Sequence, residues 1–584
     1  MSVDDDKFVP GLRRVADAIH AAGSVVAGQI YHPGRQGIAE LNGVESMPAP
    51  SAVEDQAVHQ PVHEMTKQEI DEMVARFAAA ARRCKEAGLD AVELHGAHGY
   101  LINQFLSPYT NKRIDEYGGS LENRCRFAKE VIEAVRAEVG SDYPIIIRLS
   151  VDEHLEYNGL PGEGIHLDEG VEIAKMMEDY GVQAIDVSCG IYETMNTAWE
   201  PVGFDEGWKI EAPAAVKAVV SVPVIGVSIV RNPEYAEQVL TEGKVDFVAS
   251  ARTFFADPDW GVKAKEGREK EIRRCIQCMH CMETLMEADI TGVTVGCAVN
   301  YQAGREAERG DAALSRDGDG KTVVIIGAGP AGMEAAIVAA KRGFEPVVFE
   351  KTKRTGGQIN YAAVPPKKGK IRWLIDYQRT MAEKLGVEIR CGVEPTVEDI
   401  KALDPYAVIV AQGSKPIMPA AIPGLDQDNV YDPTQILTGE AKLEGQDVAV
   451  IGTGMTGIET AEFLAEAGNR IYLFEMLDEI GPGLFFQNMI DVMSRLGAHD
   501  PEIRAKHRLV AIDGNKATFT NLEDGKDVEF TYDSFVVSLG VAPNKALVDD
   551  IEKTFDKVFV VGDAMQGGRI EAAIRTGYEA AFDM

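Results

Sequence analysis

From residue 25 to about residue 270, short apolar runs alternate with stretches whose apolar residues recur at helical spacing. The strand candidates are Val25–Ile30, Ala91–Leu94, Pro144–Leu149, Ala184–Val187, Pro223–Gly226 and Phe247–Ala249. Between the first two, Lys67–Glu86 (KQEIDEMVARFAAAARRCKE) has the pattern of an amphipathic helix. Strand followed by helix, repeated, predicts a parallel sheet, and this regularity predicts a (β/α)8 barrel, of which six strands are counted. Residues 298–320 lose periodicity and are rich in Gly, Ala and charge, which reads as a surface linker. Beyond it a pattern repeats, VVIIGAGPAGMEAA at Val323–Ala336 and VAVIGTGMTGIETA at Val448–Ala461, predicting two homologous nucleotide-binding units, one inserted in the other.

The chain is therefore expected to be α/β throughout. A barrel over residues 1–270 is followed by a cysteine segment and linker over 271–320. The first nucleotide-binding domain takes 321–440 and 536–584, and the second takes 441–535. A length of 584 residues fits three or four such domains.

Charge narrows the partners. Lys plus Arg total 59 against 93 Asp plus Glu, a formal charge of −34, and a surface that acidic repels nucleic acid and anionic membrane. The start, MSVDDDKFVPGLRRV, lacks an apolar leader core, and no uncharged run approaches the roughly 18 residues of a membrane span, so a cytoplasmic protein is expected. Eight cysteines are too sparse for a disulfide scaffold, yet four crowd between residues 275 and 297.

Those four, Cys275, Cys278, Cys281 and Cys297, read C-x2-C-x2-C-x15-C. Three thiolates on one loop and a fourth returning later can surround a [4Fe–4S] cubane; structural zinc is the alternative, but zinc ribbons come as paired C-x2-C knuckles. His280, inside the loop, reads as a surface residue, and Cys84, Cys125, Cys189 and Cys391 read as buried small apolar side chains.

Gly327, Gly329 and Gly332 follow an apolar strand and open a helix, with Glu350 at the end of the next strand. The first glycine allows the tight turn, the second lets backbone reach a pyrophosphate, the third packs helix on sheet, and the acid takes ribose hydroxyls. Gly452, Gly454, Gly457 and Glu475 repeat the arrangement. A carboxylate at Glu475 pairs with a free 2′-hydroxyl and repels a 2′-phosphate, favouring NADH over NADPH.

With these motifs in place, GQIYHPGRQ (Gly28–Gln36) and ELHGAHGYLINQFLSPYTNKRIDEYGGSLENRCRF (Glu93–Phe127) resemble the Old Yellow Enzyme family of flavin reductases. The cysteines and the two nucleotide units point to its iron–sulfur branch, which includes 2,4-dienoyl-CoA reductase, 2-enoate reductase, bile-acid enoate reductases and trimethylamine dehydrogenase. The resemblance implies FMN in the barrel, with Gln29 and Arg148 at its ring and Gly226 and Arg252 at its phosphate, although Val227 stands where a second glycine is usual. It implies His95 and His98 at a substrate carbonyl oxygen and Tyr100 as proton donor to the α-carbon. It also implies FAD in the first nucleotide unit, with Gly562 and Asp563 at the ribityl chain and Gly413 and Gly540 at the crossovers.

The function so implied is reduction of a C=C bond conjugated to a carbonyl, fed by NADH through FAD, cluster and FMN. The partners are then NADH and a small conjugated substrate, and a homo-oligomer is compatible with it. The rivals are an amine dehydrogenase using Trp199 and Trp208 in an aromatic cage, and an electron-transfer subunit with a vestigial barrel. The loop Cys189–Lys209 is expected to set substrate choice. The family pattern places two further strand–helix units ahead of the first residue here, so a fragment is expected, retaining FMN weakly through its open sheet edges.

Overall fold

The computed structural model describes residues 2–160, 162, 164–292 and 294–584, and the side chains of Asn158, Asp289, Ile290 and Thr291 lie outside the description. The chain forms two compact units, residues 1–200 with 205–250, and residues 201–204 with 251–584. Among the described residues no helix is long and apolar enough to cross a membrane.

The first unit is built on a six-stranded parallel sheet in chain order: Ala27–Ile30, Ala91–Gly96, Ile145–Ser150, Ala184–Ser188, Val224–Val227 and Phe247–Ala249. Each strand is the one read from the sequence, with Phe247–Ala249 unchanged and the ends of the others moved by at most two residues. The sheet does not close; Ala27–Ile30 and Phe247–Ala249 are its edges. Alternation sorts the strands: Val92, Leu94, Ile145, Ile147, Leu149, Ile185, Val187 and Val224 are buried in the core shared with the helices. Their neighbours Glu93, His95, Arg148, Asp186 and Ser188, with Gln29 on the edge strand, therefore fall on the opposite face, where a packed barrel would carry branched apolar residues. That polar inner face marks a site rather than a core.

The helix Lys67–Glu86 forms as its periodicity predicts. Thr66 Oγ1 accepts from the Glu69 amide at 3.2 Å and Glu69 Oε2 accepts from the Thr66 amide at 2.7 Å, a reciprocal cap worth about 1 kcal/mol. It buries Ile70, Met73, Phe77, Ala81 and Cys84. Phe77 meets Phe127 edge-on at 6.4 Å, and Phe127 stacks on Phe105 at 4.3 Å.

The second unit contains two five-stranded parallel sheets. One has the order Glu388–Cys391, Glu345–Glu350, Thr322–Ile326, Ala407–Val410, Val558–Val560, so its last strand comes from the far end of the chain. The other, Val430–Tyr431, Ser534–Val537, Asp447–Ile451, Arg470–Phe474, Glu502–Arg504, is built from the residues between. This is the insertion that the repeat predicts. The antiparallel pair Ser414–Pro416 and Val541–Pro543 joins the two crossings of the chain.

Two readings need correction. The stretch 298–320 is only in part a linker over the surface: most of residues 304–320 is exposed, but Val299, Tyr301 and Leu314 are buried in the same core as Val323 and Ile325. Cys391 is exposed, because it ends the edge strand Glu388–Cys391, whereas Cys84, Cys125 and Cys189 are buried as read.

Candidate active site

In the first unit, His95 lies near the C-terminal end of strand Ala91–Gly96, beside Arg148 in register. The chain then turns through two left-handed residues, His98 at φ 58° and Gly99 at φ 77°. A Cβ on Gly99 would stand 2.4 Å from Gln36 Nε2, so the turn needs a glycine there. The His98 amide donates to Ser150 Oγ at 2.9 Å and His98 Nε2 lies 2.8 Å from Ser188 Oγ, so two neighbouring strand ends fix this ring. Tyr100 follows at the start of helix Leu101–Leu106.

The three predicted residues come together. The His95 and His98 ring centroids are 5.2 Å apart, and His95 and Tyr100 are 4.7 Å apart, both edge-to-face. Burial, reinforced by Arg148, holds His95 down to about 3, and the same causes hold His98 well below the usual imidazole value. Both rings are neutral at ordinary pH. Because His95 Nδ1 accepts the Ala97 amide at 3.3 Å, the ring hydrogen belongs on Nε2, free to donate. Sequence reasoning missed two further rings here, Tyr31, 4.7 Å from Tyr100, and Tyr192, 5.9 Å from Tyr100; Trp199, the cage candidate, lies 5.7 Å from Tyr192. Trp208 lies tilted against His154 at 5.4 Å instead, donating to Glu200 at 3.1 Å.

Deeper on the same face, Gln29 Nε2 donates to Glu93 Oε2 at 2.6 Å. Burial first, then the Asp186 charge, push the Glu93 carboxyl up to about 7, and burial also raises Asp186. Arg148 Nε stands 3.4 Å from Asp186 Oδ2, yet that nitrogen and Asp186 Oδ1 are both buried without a hydrogen-bond partner. Orphaned polar atoms on an inner face fit a polar ring such as a flavin, which Gln29 and Arg148 would hold. Glu93 and Asp186 were also missed, although a carboxylate between Val92 and Leu94, or between Ile185 and Val187, is a signal. Gly226 has a local reason: a Cβ there would stand 2.6 Å from Val245 Cγ1. Arg252 belongs to the second unit, where it lines the cysteine cavity and lies 3.4 Å from Met279 Sδ.

The second unit holds a cavity of about 1110 Å3. Gly327, Gly329, Glu350, Gln358, Gly413 and Asp563 line it from the first nucleotide domain, and Met455, Glu459 and Asn488 from the second. Gly327 has φ 109° and a Cβ there would meet Ala411 O at 2.3 Å; a Cβ on Gly332 would meet Gly327 O at 2.0 Å. At Gly329 a Cβ would find only Gly357 Cα at 3.9 Å, the open cradle a pyrophosphate requires. Gly452, Gly454 and Gly457 reproduce the pattern, with Gly452 at φ 92°, nothing within 4 Å at Gly454 and Gly452 O at 2.0 Å from a Cβ on Gly457. Glu350 Oε2 accepts the Ala328 amide at 2.9 Å and Glu475 Oε2 accepts the Thr453 amide at 2.9 Å, tying each glycine loop to the next strand. Asp563 accepts from Ser414 Oγ at 2.9 Å, beside Gly562 at φ 58°, while Gly413 and Gly540 sit at φ 71° and 96°.

Cys275, Cys278, Cys281 and Cys297 line one small cavity with Arg252 and Met279. The loop bends through left-handed Gln277 and Met279 at φ 54° and 64°. Burial raises the Cys278, Cys281 and Cys297 thiols, that of Cys297 to about 12, and neighbouring thiols add to each shift. Four thiols lining one small cavity, three of them costly to ionise without a cation, fit a soft metal cluster as donor set. Among the described residues no three His, Cys, Asp or Glu side chains converge as ligands of a single metal ion. Cys278 borders both this cavity and the large one, and Asn488 Nδ2 donates to its carbonyl at 3.2 Å. His280 also lines the large cavity.

A unit built on a six-stranded parallel sheet with a polar inner face, followed by interleaved nucleotide domains, defines a flavin-linked pyridine-nucleotide oxidoreductase. Residues 1–271 match the NADH:flavin oxidoreductase / NADH oxidase family and residues 321–577 match pyridine nucleotide-disulphide oxidoreductase. The chain belongs to the NADH:flavin oxidoreductase / NADH oxidase family, as a relative shows: an NADH oxidase of Thermoanaerobacter brockii, 39% identical, with 100% of this chain and 88% of the relative covered. Among solved structures, 2-naphthoyl-CoA reductase in complex with 2-naphthoyl-CoA superposes with a TM-score of 0.93 at 30% identity, covering 100% of this chain and 89% of that one. Histamine dehydrogenase from Rhizobium sp. 4-9 superposes with a TM-score of 0.88 at 28% identity, covering 99% and 86%. Membership makes the chain an oxidoreductase and brings FMN to its N-terminal part and FAD with a nicotinamide nucleotide to its C-terminal part.

Proposed function

We propose that the protein uses NADH to reduce a C=C bond conjugated to a carbonyl group. One observation carries this reading: two neutral imidazoles and a tyrosine hydroxyl converge at a strand end on the polar inner face. A neutral His95 donates from Nε2 to the carbonyl oxygen and stabilises enolate charge there, but it is too weak an acid to protonate carbon. That leaves Tyr100 to protonate the α-carbon. Gln29 and Arg148 would hold a flavin, whose chemistry when bound is hydride delivery to the β-carbon, and the Arg148 charge would favour its reduced form.

Cys275, Cys278, Cys281 and Cys297 hold a [4Fe–4S] cluster on this reading, in a cytoplasm that keeps the thiols reduced. Gly327, Gly329, Gly332, Glu350, Gly562 and Asp563, in the domain of residues 321–440 and 536–584, would hold FAD, and Cys278 borders both the cysteine cavity and the large one. NADH is held by Gly452, Gly454, Gly457 and Glu475 in residues 441–535, the carboxylate taking the ribose hydroxyls.

A second reading, an amine dehydrogenase, draws on the rings of Tyr31, Tyr100, Tyr192 and Trp199, which could enclose an organic cation. Anaerobic, flavin-loaded protein given NADH with cinnamate or an enoyl thioester, or trimethylamine with an electron acceptor, separates the two. Saturated product carrying deuterium from D2O at the α-carbon is expected. Amine oxidation without alkene reduction would overturn the proposal.

A further inference from the structure

We infer that Tyr192 is the positioning partner of Tyr100. It donates its hydroxyl hydrogen to the Tyr100 oxygen, leaving the Tyr100 hydrogen to point at substrate and steadying the phenolate that forms when that hydrogen is given up. This rests on the reading of Tyr100 as proton donor to carbon. The two hydroxyl oxygens are 3.1 Å apart and the rings meet edge-on at 5.9 Å and 69°.

Tyr192 is held firmly. It opens the turn Tyr192–Thr194, in which the Ile191 amide donates to Thr194 Oγ1 at 3.0 Å, and Thr194 Oγ1, fully buried, donates to the Glu153 carbonyl at 2.6 Å. Trp199 packs on its ring at 5.7 Å. The loop therefore fixes the hydroxyl that meets Tyr100 rather than leaving it to solvent.

Which oxygen accepts follows from what faces each ring. Around Tyr100 stand Tyr31, neutral His95 and Tyr192, with the Arg148 charge beyond. Around Tyr192 stand Tyr100, Tyr31 and Trp199, with the Asp55 carboxylate acting on it and Glu193, paired to Arg35, next in the chain. Burial raises both hydroxyls, but the Arg148 charge eases ionisation of Tyr100, whereas the Asp55 charge opposes ionisation of Tyr192. Tyr100 is the one that ionises, so it is the acceptor.

In the step itself the electron pair at the enolate α-carbon takes the hydrogen. The Tyr100 O–H bond breaks, the C–H bond forms, and the phenolate accepts the Tyr192 hydrogen bond until water returns the proton. NADH, through the barrel flavin, supplies the two electrons.

The test labels the full-length protein with 3-fluorotyrosine and follows Tyr100 ionisation by 19F NMR, its resonance assigned with Tyr100→Phe. Tyr192→Phe should raise the Tyr100 pKa by about one unit, since a charge-assisted hydrogen bond to the phenolate is lost. Tyr192→His, which keeps an N–H donor, should recover most of that shift and also controls for misfolding. An unchanged Tyr100 pKa in Tyr192→Phe, or one equally raised in Tyr192→His, would overturn the inference. No substrate is used, so failure here condemns the tyrosine pair alone, whereas absence of alkene reduction by wild type condemns the proposed reaction.

Discussion

Gly329 and Gly332 are three residues apart in one motif, yet alanine should harm them in opposite ways. A methyl on Gly332 would lie 2.0 Å from the Gly327 carbonyl oxygen and 3.2 Å from Ala411 Cβ. The nearer atom is backbone, so helix Pro330–Lys341 would have to move off its strand. Overpacking of this kind costs about 1–3 kcal/mol, a backbone contact belongs at the upper end, and alanine returns about 1 kcal/mol of helix propensity. A net loss of about 2 kcal/mol is expected. Gly329 has φ −76° and ψ −179°, where any residue is comfortable, and its Cβ would touch nothing nearer than 3.9 Å. Gly329→Ala should therefore fold with wild-type stability but place its methyl where the FAD pyrophosphate approaches, weakening FAD about tenfold, or about 1.4 kcal/mol. Urea unfolding of the apoproteins reads the first effect and calorimetric titration with FAD the second. Wild-type FAD affinity in Gly329→Ala, or a wild-type urea midpoint in Gly332→Ala, would refute the reasoning.

Other perturbations reach the first unit. Lys209 and Glu200 form a buried ion pair at 2.6 Å, so Lys209→Met strands a carboxylate and should cost about 3–5 kcal/mol; adding Glu200→Leu should recover most of it in urea melts. His95 and His98 are neutral when folded, with values below the unfolded one near 6.5. Their contribution is full above that pH and is lost as pH falls, towards about 3 for His95. Glu93 has the opposite sign: its folded value of about 7 exceeds the unfolded 4.5, so its contribution is present below 4.5 and disappears as pH rises through 7. Glu93→Gln should therefore make stability climb more steeply with pH between those limits; parallel curves for variant and wild type would contradict this. Glu475→Ala should weaken NADH binding while changing NADPH binding little, measured by titration, and equal losses for both would contradict the assignment of the carboxylate to the 2′-hydroxyl.

Local signals made most of the fold legible. The strand ends and the helix Lys67–Glu86 follow from periodicity and a Thr66–Glu69 cap that any reader of the chain can find. The inserted domain follows from the repeated glycines, because φ near 100° at Gly327 and Gly452 leaves little choice of residue. Non-local facts were hidden. Residues 298–320 look like a linker because their few apolar residues have no period, yet Val299, Tyr301 and Leu314 fill a core built elsewhere. Cys391 looks buried until the sheet order puts its strand at an edge. At the site, His95, His98 and Tyr100 stood out by strand-end position, while Tyr192 lies 92 positions further along the chain and meets Tyr100 only once the chain folds. Glu93 and Asp186 were visible in principle, since a single carboxylate between two apolar residues of a strand has to face something polar.

The central claim is that the four clustered thiolates carry iron and join the nucleotide cavity to flavin chemistry. Anaerobically purified protein should contain about four iron and four sulfide per chain, develop a reduced-cluster EPR signal on adding NADH, and lose both in Cys278→Ser. Zinc in place of iron, or a cluster that NADH leaves oxidised, would contradict it.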